Sequence, residues 1–162
     1  MVFKNPLDNF TKILSAIVFL FPLGIFFFVN ISEGFELTSL IVFIIIIPIF
    51  AITWALHPQD YTVNEQGISI KRPFKSILIS SQDIKSIEAI TPADLKYSMR
   101  LFGSGGFFGY FGLFANQKLG RYHMYAGNRV HPILILTEKK KYVLTPTDPE
   151  GFIAAVKALN QA

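Results

Sequence analysis

The sequence predicts a membrane-anchored, mainly β protein: a two-helix transmembrane hairpin, then a seven-stranded β-barrel or sandwich closed by a C-terminal α-helix. Three observations predict it. Two long apolar runs near the N-terminus carry no charge. After Pro58 the hydrophobic period changes to two. The last residues return to helical spacing behind a capping signal. Composition agrees. Of 162 residues, 51% are hydrophobic and only 16% charged, whereas soluble domains are nearer a quarter charged. Cysteine is absent, which excludes disulfides, thiolate nucleophiles and zinc–thiolate sites.

The helices come first. Residues 13–32 contain no charge, and neither do residues 37–57. At 1.5 Å per residue, ~20 residues cross a ~30 Å hydrocarbon core. A β domain of the remaining length cannot cover two helices that are apolar all round. The first run is long for a signal peptide, and no A-x-A-like site follows it. Only "EGFE" and a flanking Ser separate the runs, so they form an antiparallel hairpin. Lys4 and Lys12 precede it, Glu33 and Glu36 occupy the turn without Lys or Arg, and Lys71, Arg72 and Lys75 follow. By the positive-inside rule both termini face the cytoplasm. Trp54 and His57 fall where the second helix leaves the inner interface, a position that suits amphipathic rings. Pro22 and Pro48 lie at similar depth. A shared midplane break is a transporter device, but neither helix carries an ionisable residue that could bind an ion, so both read as tolerated kinks. Residues 1–12 are then a cytoplasmic N-terminal segment, 13–57 the hairpin and 58–162 a cytoplasmic domain.

That domain carries 13 of the 15 basic residues and 8 of the 11 acidic ones. "YTVNEQGISIKR" reads as a hairpin turning at Asn64 and Gly67. "SILIS" and "DIKSIEAI" are two more strands, the second with an irregularity that a bulge explains. "GRYHMYAG" alternates, and "PILILTEKKKYVLT" is a hairpin with its tip at Glu138–Lys140. In "TPTDPEGFIAAVKALNQA", Thr147 or Asp148 caps a helix with Pro149 at its first position. Phe152, Ile153, Val156 and Leu159 share its packing face.

Several stretches resemble bacterial pleckstrin-homology-like (PH-like) domains that follow one or two transmembrane helices. They are "YTVNEQGISI", "ISSQDIKSIEAI", "RLFGSGGFFGYFGLFANQKLGRYHMYA" and "ILILTEKKKYVLTPTDPEGFI". The resemblance covers about residues 58–160. It implies seven strands plus a C-terminal helix and brings no established catalytic residues.

The glycine–aromatic stretch 102–114 is the least ordinary segment. Its glycines do not make a dinucleotide fingerprint, because Phe108 stands where the third glycine belongs, and no Gly-Lys-Ser/Thr follows. Phe102, Phe107, Phe108, Tyr110, Phe111 and Phe114 therefore form a candidate loop with three open readings. It packs into the core or the seam with the helices, it dips into lipid headgroups, or it docks a membrane protein. Lys71, Arg72 and Lys75 read as a solvated turn or as lipid-headgroup contacts worth about 1 kcal/mol each near an anionic leaflet. Lys139–Lys141 reads as a solubility feature. His57, His123 and His131 show no metal-ligand spacing. His123 and His131 are expected on neighbouring strands. Asp94 and Ser104 make a triad with histidine only on paper. Dispersed basic residues argue against nucleic acid. The expectation is a non-catalytic binding or scaffold protein of the bacterial inner membrane, without cofactor or metal. Its partners are the bilayer and a protein; the alternative is direct recognition of anionic lipid.

Overall fold

A computed structural model describes residues 1–32, 34 and 37–159, with the backbone alone at Thr38 and Ser39. Glu33 and Glu36 of the expected turn lie outside the described residues. Strand β1 (Val2–Lys4) leads into helix α1 (Asn9–Ser32) and helix α2 (Leu37–Leu56). Strands β2 (Asp60–Asn64), β3 (Gly67–Lys71), β4 (Ile77–Ser80) and β5 (Ile84–Ala89) follow. Next come β6 (Met99–Gly106), β7 (Gly109–Asn116), β8 (Gly120–Ala126), β9 (Ile133–Thr137), β10 (Lys141–Leu144) and helix α3 (Pro149–Leu159).

The first helix is long and apolar enough to cross a membrane. The second is apolar over its described length, Leu40–Leu56. Their outer faces carry bare rings and branched chains, among them Phe21, Phe28, Ile44 and Ile49. Phe26 stacks on Phe43 at 4.4 Å and Phe19 meets Phe50 edge-on at 5.4 Å. Pro22 and Pro48 sit inside continuous helices.

The strands form two sheets, ordered β1-β2-β3-β4 and β5-β9-β10-β8-β7-β6. At the β2–β3 turn, Asn64 Oδ1 accepts from the Gln66 N–H at 3.1 Å, and Gly67 supplies a positive φ of 129°. The bulge expected in β5 lies between Ile84 and Ser86. Ten strands are present among the described residues rather than seven. The extra three are β1 and the pair β6–β7. Residues 2–4 were expected outside the β domain, yet β1 pairs antiparallel with β2. The stretch expected as a loop is a hairpin of two eight-residue strands that turns at Phe107 and Phe108.

Over β9 and β10 the larger sheet is buried on both faces. On one face Ile133, Ile135 and Leu144 pack against Tyr61, Ile68 and Ile70 of the smaller sheet and against Phe152 and Val156 of α3. Each such fully buried side chain contributes roughly 2 kcal/mol. On the other face Tyr122, Met124, Leu134 and Val143 lie beneath Leu95. A capping box holds that cover, Thr91 N–H donating to Asp94 Oδ2 at 2.8 Å. Asp148, not Thr147, caps α3, accepting from the Gly151 N–H at 2.9 Å.

Candidate functional site

Besides the hydrogen bond from the Phe74 N–H to Ala55 O, two larger junctions join the helix pair to the sandwich. The first is polar and buried. Asn5, in the link from β1 to α1, donates to Pro58 O at 3.1 Å. Its Oδ1 accepts from the Gly127 N–H at 2.7 Å and from Thr145 Oγ1 at 3.2 Å. Beside it the Tyr61 hydroxyl donates to Tyr125 O at 2.6 Å and accepts from the Thr145 N–H at 3.2 Å. Burial pushes the Tyr61 phenol well above its ordinary pKa, so it stays a donor. Asp8 then caps α1, its Oδ1 accepting from the Thr11 N–H at 2.7 Å.

The second junction is the tip of β6–β7. The Phe108 N–H donates to Ser15 Oγ of α1 at 2.8 Å. The Phe107 ring meets Phe50 of α2 edge-on at 5.1 Å, and the Phe108 ring lies 6.1 Å from His57. Gly106 lies so close to α1 that a Cβ there would meet Leu14 at 3.1 Å and Phe10 at 3.2 Å. Of the other aromatics in this stretch, Tyr110, Phe111 and Phe114 are buried and Phe102 is 77% exposed on the edge strand. Phe114 stacks on Tyr122 at 6.0 Å, and the Arg129 guanidinium sits 4.5 Å from the centre of the Tyr110 ring.

A groove of about 490 Å³ opens between the end of α2 and the face of β6–β8 that the smaller sheet leaves uncovered. Its lining includes the apolar side chains of Ile52, Leu56, Phe107 and Phe111 and the cations Arg72 and Arg100. His123 also borders it. Burial first, then the charge of Lys140, holds the His123 imidazole below its usual pKa.

Lys71 ends β3, and Arg72 and Lys75 lie in the turn that follows. The turn is seated on the last turn of α2, with the Phe74 N–H donating to Ala55 O at 3.1 Å. Arg72 Nε donates to Lys75 O at 2.5 Å, while Lys71 and Lys75 are exposed. Phe74 is 79% exposed, and Trp54, next to its hydrogen-bond partner Ala55 in sequence, is exposed as well. His57 Nδ1 lies 2.5 Å from Trp54 O. Arg100 was not singled out in the sequence. The only signal for it was a lone cation in an otherwise uncharged apolar stretch.

The paper triad does not assemble. Asp94 bonds Thr91 and pairs with Lys118. The Lys118 hydrogen bond, then that of Thr91, holds its carboxyl below the usual range. Ser104 donates to Phe107 O at 2.6 Å within the hairpin turn. His131 sits in the connection before β9, not on a strand beside His123. No three His, Asp or Glu side chains cluster as metal ligands among the described residues.

The described elements form a two-sheet sandwich closed by a C-terminal helix. The model of the bacterial PH domain family matches residues 59–160, and the chain belongs to that family. No curated protein and no solved structure matches the chain. PH domains are in general non-catalytic binding modules, which supports a binding or scaffold role.

Proposed function

We propose that this chain is a non-catalytic binding and scaffold protein whose helix pair crosses the bacterial inner membrane twice. Its PH-like domain and both flanks then lie on the cytoplasmic side and hold a protein partner. The observation that carries this reading is the pairing of Val2–Lys4 with Asp60–Asn64 in one sheet. A chain whose two flanks share a sheet must return to the side it left, so if α1 crosses a bilayer, α2 must cross back. The lysines before α1 and the basic turn after α2 supply the inward charge. The partner surface is the unpaired edge of β6, where Met99 and Phe102 are exposed beside Tyr97. Bare edges of this kind accept an added strand.

A second reading, contact with anionic lipid, draws support from the basic turn seated on the last turn of α2 with Phe74 and Trp54 beside it.

The cysteine-free sequence makes the topology directly testable. Single cysteines at Gly34 and Ser76 are exposed to a membrane-impermeant maleimide in intact spheroplasts. The reading expects label at 34 and none at 76 until the membrane is opened. Label at 76 in intact cells would overturn it.

A further inference from the structure

We propose that the groove between α2 and the β6–β7 hairpin holds one anionic glycerophospholipid, its phosphate taken by Arg72 and Arg100 and an acyl chain laid against α2. The proposal rests on the helix pair lying in a bilayer.

The groove has two chemistries, and only an amphiphile uses both. Its volume, about 490 Å³, falls in the range that encloses a drug-sized molecule or a comparable part of a lipid, ~300–1,000 Å³. Ile52 and Leu56 of α2, with Phe107 and Phe111 of the hairpin, give it an apolar wall. That wall continues the apolar surface of the helices. A water-soluble anion gains nothing from it. The opposite requirement comes from Arg72 and Arg100. No carboxylate lines the groove. The ion pairs among the described residues all lie elsewhere, at Lys4–Asp60, Lys85–Glu138 and Lys118–Asp94. A wholly apolar ligand would leave two guanidiniums without a counter-charge.

The arginine on the α2 side is also prepared. Its Nε is committed to Lys75 O at 2.5 Å, which fixes the plane of the fork. The terminal nitrogens have no acceptor among the described residues, and a phosphate fits such a fork in a two-pronged way. Arg100 runs beside Gly105, its Cδ and one terminal nitrogen 3.7 Å from where a Cβ there would stand, an ordinary van der Waals contact. Depth agrees as well. The Arg72 turn is hydrogen-bonded to Ala55, one residue beyond Trp54, and Trp marks the headgroup level.

The prediction differs from that for a diffuse basic surface. Lys71 and Lys75 are exposed and do not line the groove. A site depends on the two arginines, and a surface field depends on all four cations alike. The full chain in mild detergent is mixed with equal amounts of phosphatidylglycerol and phosphatidylcholine, and retained lipid is read by native mass spectrometry. The expected result is one phosphatidylglycerol per chain. Arg72→Gln with Arg100→Gln should weaken retention about tenfold or more, as loss of a charge-assisted pair implies. Lys71→Gln with Lys75→Gln should leave it within about twofold, as screened surface charges imply. Equal loss in both pairs, unsaturable binding of several lipids, or no preference for phosphatidylglycerol would overturn the site. Insertion into lipid nanodiscs is measured in parallel. A chain that fails to insert sinks the membrane reading, whereas insertion without a retained lipid sinks only this inference. Circular dichroism melting of each variant confirms that it is folded.

Discussion

At residues 1–8 the helix pair meets the sandwich through buried hydrogen bonds; at residues 106–108 it meets it mainly through rings. The first junction is directional. Asn5 satisfies three partners that come from the α2–β2 link, the end of β8 and the residue after β10. Each of those groups is buried, and leaving one unpaired costs ~1–3 kcal/mol. The second junction has one hydrogen bond, Phe108 to Ser15, and otherwise relies on ring area. Ring contacts tolerate small sliding movements, because apolar burial has no direction. The polar junction therefore sets how the domain sits on the helices, and the aromatic one closes the gap and shapes the groove.

The largest effect should come from breaking the polar side. Asn5→Ala leaves the Gly127 N–H, the Pro58 carbonyl and the Thr145 hydroxyl without their partner, and should cost about 3 kcal/mol. Denaturant unfolding of the detergent-solubilised chain measures it. A loss below ~1 kcal/mol, the worth of a single ordinary hydrogen bond, would mean that the Asn5 cluster does not hold the junction. Phe107→Ala should cost less, about 2 kcal/mol, from the lost edge-on pair with Phe50 and its buried area. Its signature is local. Hydrogen exchange should rise at residues 106–109 and stay unchanged in β1, and a matching rise in β1 would show that the junctions are not separable. The smallest effect is that of pH. The folded state holds the His123 imidazole below its usual pKa, so its contribution is full above the unfolded value of about 6.5. As pH falls from 7 toward 5, the unfolded chain takes up a proton that the folded chain resists, and stability declines. Melting at pH 7.5 and 5.5 should differ more for the parent than for His123→Gln; an equal difference would remove His123 from the account.

The parts legible in the sequence were those whose signals are local. The charge-free runs, the Asn64–Gly67 turn, the irregular β5 and the cap before α3 each depend on neighbours in sequence. β1 was missed because three residues carry no period, and its partner lies almost sixty positions away. β6 and β7 were missed for a different reason. Tyr110 and Phe114 enter the cluster under Leu95, while Phe111 lines the groove. Both faces of β7 are apolar, so the alternation that marks a half-buried strand is absent. Glycine then disguises the rest. Gly103 and Gly112 face each other with φ of 105° and 116°, and a Cβ on either would strike the opposing backbone at Phe111 O or Phe102 O. Five glycines in a stretch expected as a loop instead permit a tightly paired hairpin. The groove was legible only in part. Arg72 was noticed for its charge, but Arg100 reaches the same groove only through the pairing of β6 with β7.

The position of β1 also orders events in time. Asn5 is synthesised 140 residues before Thr145, the hydroxyl it binds. At ~5–20 residues per second that interval is on the order of ten seconds. That hydrogen bond is thus among the last to form. The pairing of β1 with β2 needs only the chain through Asn64, whereas the Asn5–Thr145 bond must wait until both helices and every strand through β10 are made.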